Sequence, residues 1–197
     1  MLGSAAVAMW WDIAPPMRAE WEDWHTHEHM PERLGIPGFL RGSRWISGNS
    51  YFVLYEVEGM GTLTAGAYID RLNAPTPWSR KLMPHHRNMV RSLCHVRASF
   101  GRGLGGCIAT LRLEHGLPAQ ALSALPQQQG LVGAFLLEAQ PMAGAPQTIE
   151  QKIRGGGDAE ARWVGLIAGY DADAVKRAAT NLVGHGVLGV YRLSYML

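Results

Sequence analysis

Three of the chain's eight histidines fall within five residues, at His25, His27 and His29, inside the stretch WEDWHTHEHMPERLGIPGF that runs from Trp21 to Phe39. An imidazole holds or releases a proton near neutral pH, which is what general acid–base catalysis needs. On a helix, residues four apart lie one above the other, so Trp21, His25 and His29 form one stripe and Trp24 and Glu28 a neighbouring one. His27 points away from that stripe by roughly 200° and reads as solvated. His29 is therefore the leading candidate for an acid–base group, with His25 assisting. The competing role for His29 is a C-terminal helix cap, where a cation gains ~0.3–1 kcal/mol. A His-x3-His pair can also chelate a divalent metal, with Glu28, His85, His86 or His95 as a third ligand, but none stands at a diagnostic spacing. The leading expectation is therefore no cofactor, with a divalent metal or haem bound through His25 and His29 as the alternative.

Other residue types stand where packing alone does not require them. Asp12 lies in an apolar first strand, where an unpaired carboxylate is costly. Trp10 shares its strand face, so a pocket wall carrying an indole and an acid is expected, and Asp12 joins His29 and His25 as a catalytic candidate. Trp10, Trp24, Trp45, Tyr68 and Glu28 are candidates for substrate binding, set against core packing for each aromatic and a salt bridge to Arg33 or Arg18 for Glu28. His95 is a weaker candidate, and His85-His86-Arg87 reads as a solvated face. Gly101, Gly103 and Gly106 mimic a dinucleotide fingerprint but precede a strand instead of opening a helix, so that reading is rejected.

These side chains need a scaffold. Ser4 to Ile13 reads as a strand, and a helix follows from about Met17 to His29, ended by Pro31. Phe39–Ile46 and Tyr51–Val57 read as strands joined by a hairpin turn at 47–50. Leu63–Leu72 has helical periodicity, Trp78–Val90 reads as a helix kinked at Pro84, and Arg91–Phe100 as a strand. After a flexible joint at 101–106 the order repeats: strands Cys107–Leu113 and Leu131–Glu138 around a weak helix Pro118–Gln128. A long connection from 139 to 157 comes next, then strand Arg162–Gly169. A helix Asp171–Val183, capped by Asp171 or Asp173, and a strand Val187–Leu197 close the chain.

Each half is thus a ferredoxin-like βαββαβ unit, residues 1–100 carrying the His-rich helix and 101–197 serving as structure. The expected fold is α+β: two tandem units packed sheet to sheet as a fused dimeric α/β-barrel, because each sheet has an apolar face to cover. Two units side by side with separate partners is the plain alternative.

Composition narrows the classes. The 197 residues are 47% hydrophobic and 17% charged with a net charge of +2, and charges of both signs are interspersed. A basic stripe is missing, which argues against nucleic acid. Cys94 and Cys107 sit in expected strands without disulfide or metal spacing, which fits a reduced, cytoplasmic setting. Met1–Met9 lacks a basic leader and reads as strand, not signal peptide, and no run approaches the ~20 apolar residues of a membrane span. A monomer or homodimer is expected, since fusion satisfies the sheet contact internally.

Trp21-x3-His25-x3-His29-x-Pro31, followed by Ile36-Pro37-Gly38-Phe39 and a strand with Arg41 and Arg44, resembles the first helix and second strand of EthD-like proteins. More distantly it resembles the antibiotic-biosynthesis-monooxygenase group of the dimeric α/β-barrel superfamily. The resemblance covers the first 60 residues well, 63–100 loosely, and the second half by element order. It implies the barrel fold and a site in the first half. The functions it implies are mixed: cofactor-free oxygenases, cyclases and decarboxylases, haem enzymes, and members without known activity. The expectation is an enzyme, a lyase or monooxygenase, acting on a hydrophobic, aromatic or polyketide-like small molecule through His29. A small-molecule binding or stress-response protein is the alternative. His29→Ala is expected to abolish turnover and leave the melting temperature nearly unchanged.

Overall fold

The computed structural model describes residues 1–141 and 146–197; positions 142–145, within the stretch read as a long connection, lie outside the described residues. In chain order the strands and helices are β1 (Ala5–Asp12), α1 (Arg18–Trp24), α2 (Met30–Leu34), β2 (Phe39–Ser47), β3 (Ser50–Val57), α3 (Met60–Thr64), α4 (Gly66–Asn73), α5 (Pro77–Leu82) and β4 (Arg87–Gly101). The second half follows with β5 (Cys107–Leu113), α6 (Ala119–Ser123), β6 (Leu131–Ala139), α7 (Ile149–Ile153), β7 (Trp163–Gly169), α8 (Ala172–Thr180) and β8 (Val187–Met196).

Within each half the strands lie in the ferredoxin-like order, β4-β1-β3-β2 and β6-β7-β5-β8, and every pairing is antiparallel. The two sheets then join along both edges, β2 to β8 from Ser43↔Met196 to Ile46↔Arg192 and β4 to β6 from Cys94↔Ala139 to Gly101↔Gly133. The result is a closed eight-stranded barrel. Closure leaves no unpaired edge to aggregate and excludes the side-by-side arrangement.

Strand alternation decides which side chains can reach a site. Along β1, Ala6, Ala8 and Trp10 point into the barrel, where they pack with Trp45, Phe52, Leu54 and Phe135. Ala5, Val7 and Trp11 point outward against α1 and the helices that follow. The second sheet has its own outer layer, with Val175 and Ala179 of α8 over Ala109, Leu111 and Ile167. Asp171 caps α8, accepting from the backbone of Asp173 and Ala174.

Three local expectations are corrected. The histidine helix does not stop at His29: residues His25–His29 form a π-helical turn and α2 continues to Leu34. Met30 N–H bonds to the His25 carbonyl, five residues back. That wider turn sets Pro31 at the start of a fresh helical segment, where its missing N–H costs little. The helix expected over 78–90 ends in a 3-10 turn at Met83–His85, and β4 begins at Arg87, four residues before its expected start. Finally, the stretch 139–157 contains α7, set by a capping box in which the Thr148 and Gln151 side chains bond each other's backbone N–H.

Candidate functional site

α1, the π-turn and α2 lie over the outer face of the first sheet, and between them a narrow cleft of about 40 Å³ opens. Its floor is β1 and β3, contributing Met9, Trp11 and Tyr55. One wall is the helix stripe His25–His29–Arg33 beside Trp24, and the opposite wall carries Tyr68, His86 and Arg91. The second half closes it: Thr148, Glu150, Gln151 and Arg154, from α7 and its flanks, line the same space. Residues of both halves thus line the same cleft.

The imidazoles are held by aromatic rings. His25 stacks on Trp21 with centroids 4.9 Å apart, and His29 lies 4.5 Å from Trp24. The two histidines are 5.6 Å apart. Both are buried, and burial, reinforced by Arg33 and neighbouring cationic groups, pushes their pKa values well below the usual imidazole value. His86 behaves alike: burial, then the charge of Arg154, lowers it to about 3. All three rings are thus neutral bases at physiological pH.

Charge in the cleft is carried by arginines with partners on one side only. Arg33 Nη2 donates to Glu150 Oε1 at 2.5 Å, Arg91 Nη2 to the Tyr68 hydroxyl at 2.9 Å, and Arg154 Nη2 to Asp158 Oδ2 at 2.8 Å. The remaining atoms are more telling. Nine side-chain nitrogen or oxygen atoms among the described residues are buried without a hydrogen-bond partner. Seven belong to residues of this cleft: Trp11 Nε1, Nδ1 of His25, His29 and His86, Arg33 Nη1, the Tyr55 hydroxyl and Arg154 Nε. A buried polar atom without a partner costs about 1–3 kcal/mol, so this cluster marks the surroundings of the cleft as the place where water or a polar ligand completes hydrogen bonds.

The expected site residues divide. His25, His29, Trp24 and Tyr68 come together in the cleft. Trp10 and Trp45 face the barrel interior instead, bonded to Thr110 Oγ1 and Ser43 Oγ. Asp12 sits at the end of β1, accepting from Ser50 Oγ and Asn88 Nδ2, away from the cleft lining. Glu28 pairs with neither Arg18 nor Arg33; it accepts from Trp24 Nε1 at 3.0 Å and Thr76 Oγ1 at 2.5 Å, fixing the indole over His29. His95 bonds Gln140 on the exposed surface. Among the described residues no group of three or more His, Cys, Asp or Glu is placed to hold a metal ion. Trp11, Tyr55, Glu150 and Arg154 had no part in the sequence reading, Arg33 entered it only as an ion-pair partner, and His86, read as a solvated face, lines the cleft instead.

The His29 ring is packed against Trp24 and His25.

No family model matches the sequence, and no curated protein matches it. Solved structures do. An anthrone oxidase-like protein aligns over 100% of this chain and 94% of its own, with TM-score 0.59 and 10% identity. A candidate monooxygenase from Fusobacterium nucleatum aligns over 98% and 93%, with TM-score 0.57 and 8% identity. A third, a candidate monooxygenase from Lactobacillus acidophilus, aligns over 97% and 93%, with TM-score 0.51 and 11% identity. At these identities the likeness shows a shared fold: the two-unit barrel recurs at full length in monooxygenase-like proteins. No helix of the described residues is long and apolar enough to cross a membrane.

Proposed function

We propose that the protein is a small-molecule enzyme of oxygenase type that takes a flat aromatic ketone and removes an acidic C–H proton with an imidazole of the cleft. The observation that carries this reading is the convergence of seven unpartnered buried polar atoms on one aromatic-walled cleft. Packing alone would bury hydrocarbon there. His29 is the base and His25 the group that shares the proton. Burial keeps both neutral, hence able to accept. Negative charge growing on the substrate raises the basicity of the adjacent ring as the proton moves, which matches base strength to the moment of transfer. Arg33, fixed by Glu150 through one Nη, leaves its other Nη without a partner, and its charge favours the negative charge that develops on the substrate.

The anthrone oxidase-like neighbour suggests a concrete probe. Anthrone loses a proton from its CH2 group to give an enolate that is an electron donor to dioxygen. Bond formation to that carbon gives a hydroperoxide, and loss of water leaves the quinone. The balance is anthrone plus O2 to anthraquinone plus water, with dioxygen as the oxidant and no organic cofactor required. Decarboxylation or cyclisation would use the same base on a different substrate.

Oxygen uptake with anthrone tests the reading, in the presence of a chelator and against the spontaneous rate. The wild-type protein is expected to exceed that rate and His29→Gln to lose ~10²–10⁴ of the enhancement. Binding of aromatic ketones with no turnover in either protein would leave a binding protein of the same fold.

A further inference from the structure

We propose that His86 and Trp11 form a two-donor site for the carbonyl oxygen of the ligand, a role that rests on the aromatic-ketone reading above and specifies its polar end. An indole N–H only donates. Trp21 Nε1 lies 2.9 Å from His86 Nε2, so Nε2 is the acceptor and a neutral His86 carries its proton on Nδ1. That Nδ1 atom is buried without a partner, although the ring as a whole is partly exposed. A backbone hydrogen bond with Met83 raises the ring's basicity, in a geometry too poor to satisfy Nδ1.

Trp11 Nε1 is in the same position, a buried N–H without an acceptor. The Trp11 and His86 rings are neighbours, with centroids 5.0 Å apart at 73°, and both line the cleft. A carbonyl oxygen has two lone pairs and accepts two such donors at once. Both donors are neutral, which suits a ketone in the ground state and strengthens as the oxygen gains charge in an enolate. Trp21, which does not line the cleft, is then a positioning residue that selects the tautomer.

The test compares 9-fluorenone with fluorene, two tricyclic probes of one shape that differ by the carbonyl. Wild-type protein is expected to bind fluorenone more tightly. His86→Leu is expected to weaken fluorenone about 10-fold and leave fluorene unchanged, the size expected for one lost hydrogen bond. His86→Asn, whose amide places an N–H close to where Nδ1–H stood, is expected to restore most of the difference, and Trp11→Phe to lose it. Retained fluorene binding reports that the variants fold. Independently of any variant, nitrogen-15 NMR of histidine-labelled wild-type protein is expected to show the His86 proton on Nδ1.

Equal weakening of both probes, failure of wild-type protein to bind fluorenone, or a proton on Nε2 would each overturn the proposal. Selective loss of fluorenone together with no oxidation of anthrone would contradict the oxygenase reading alone.

Discussion

Arg33 on α2 and Glu150 on α7 meet across the two halves of the chain at 2.5 Å, each side chain only 4% exposed. The pair ties the helix that carries the histidines to the segment that closes the cleft. A buried ion pair is weak evidence of net stabilisation, since desolvation offsets the attraction, but breaking one side leaves a charge without a partner. Glu150→Ala is expected to lower stability by about 3–5 kcal/mol in urea unfolding, while Arg33→Met with Glu150→Leu recovers most of it. Additive losses in that double variant would show that the two residues act separately.

His29 contributes to packing and to chemistry, and the two are separable by choice of substitution. His29→Ala opens a cavity beside Trp24 and is expected to cost about 2 kcal/mol. His29→Phe keeps a ring against the indole and should cost less while losing the proton acceptor. A melting temperature equal to wild type for His29→Ala would mean that the ring does not pack as described.

Acid should destabilise the protein earlier than carboxylate protonation explains. His25, His29 and His86 are held below the ordinary imidazole value by burial first, His86 at about 3. The unfolded chain protonates these rings near pH ~6.5 and the folded chain does not, so below that pH the unfolded state binds more protons. Stability is therefore complete above about pH 6.5 and is lost as the pH falls, by up to ~1.4 kcal/mol per pH unit for each ring. Urea midpoints between about pH 5 and 6.5, where ordinary carboxylates stay ionised, are expected to fall with acid, and His86→Phe to reduce the slope. Stability that rises toward acid would contradict the burial of neutral imidazoles.

The barrel and half of the cleft were legible from residue patterns. Alternation in Arg91–Phe100 and Cys107–Leu113, the repeated element order and the need to cover two apolar sheet faces lead to the fused barrel directly. The i, i+4 spacing from Trp21 to His29 found the wall of the site. Alternation alone does not tell which face of a strand turns inward, so Trp10 was favoured where Trp11 faces the cleft. Glu28 lay close in sequence to both arginines, but Arg33 found its partner 117 residues away. Glu150 sits on a five-residue helix, too short to show periodicity. Its one local signal was the Thr148-x-x-Gln151 capping box, which marks a helix start without saying what the helix covers. His86 stands where a helix gives way to a strand, and its role depends on a tryptophan 65 residues away.

Proton abstraction by His29 can be watched without oxygen, metal or net reaction, by following exchange of the anthrone CH2 hydrogens with deuterated water under anaerobic conditions in the presence of a chelator. Wild-type protein is expected to accelerate the exchange, and His29→Gln, folded by its unfolding curve, to slow it by ~10²–10⁴. Exchange that is no faster than in buffer, or equally fast in both proteins, would contradict an imidazole base in this cleft.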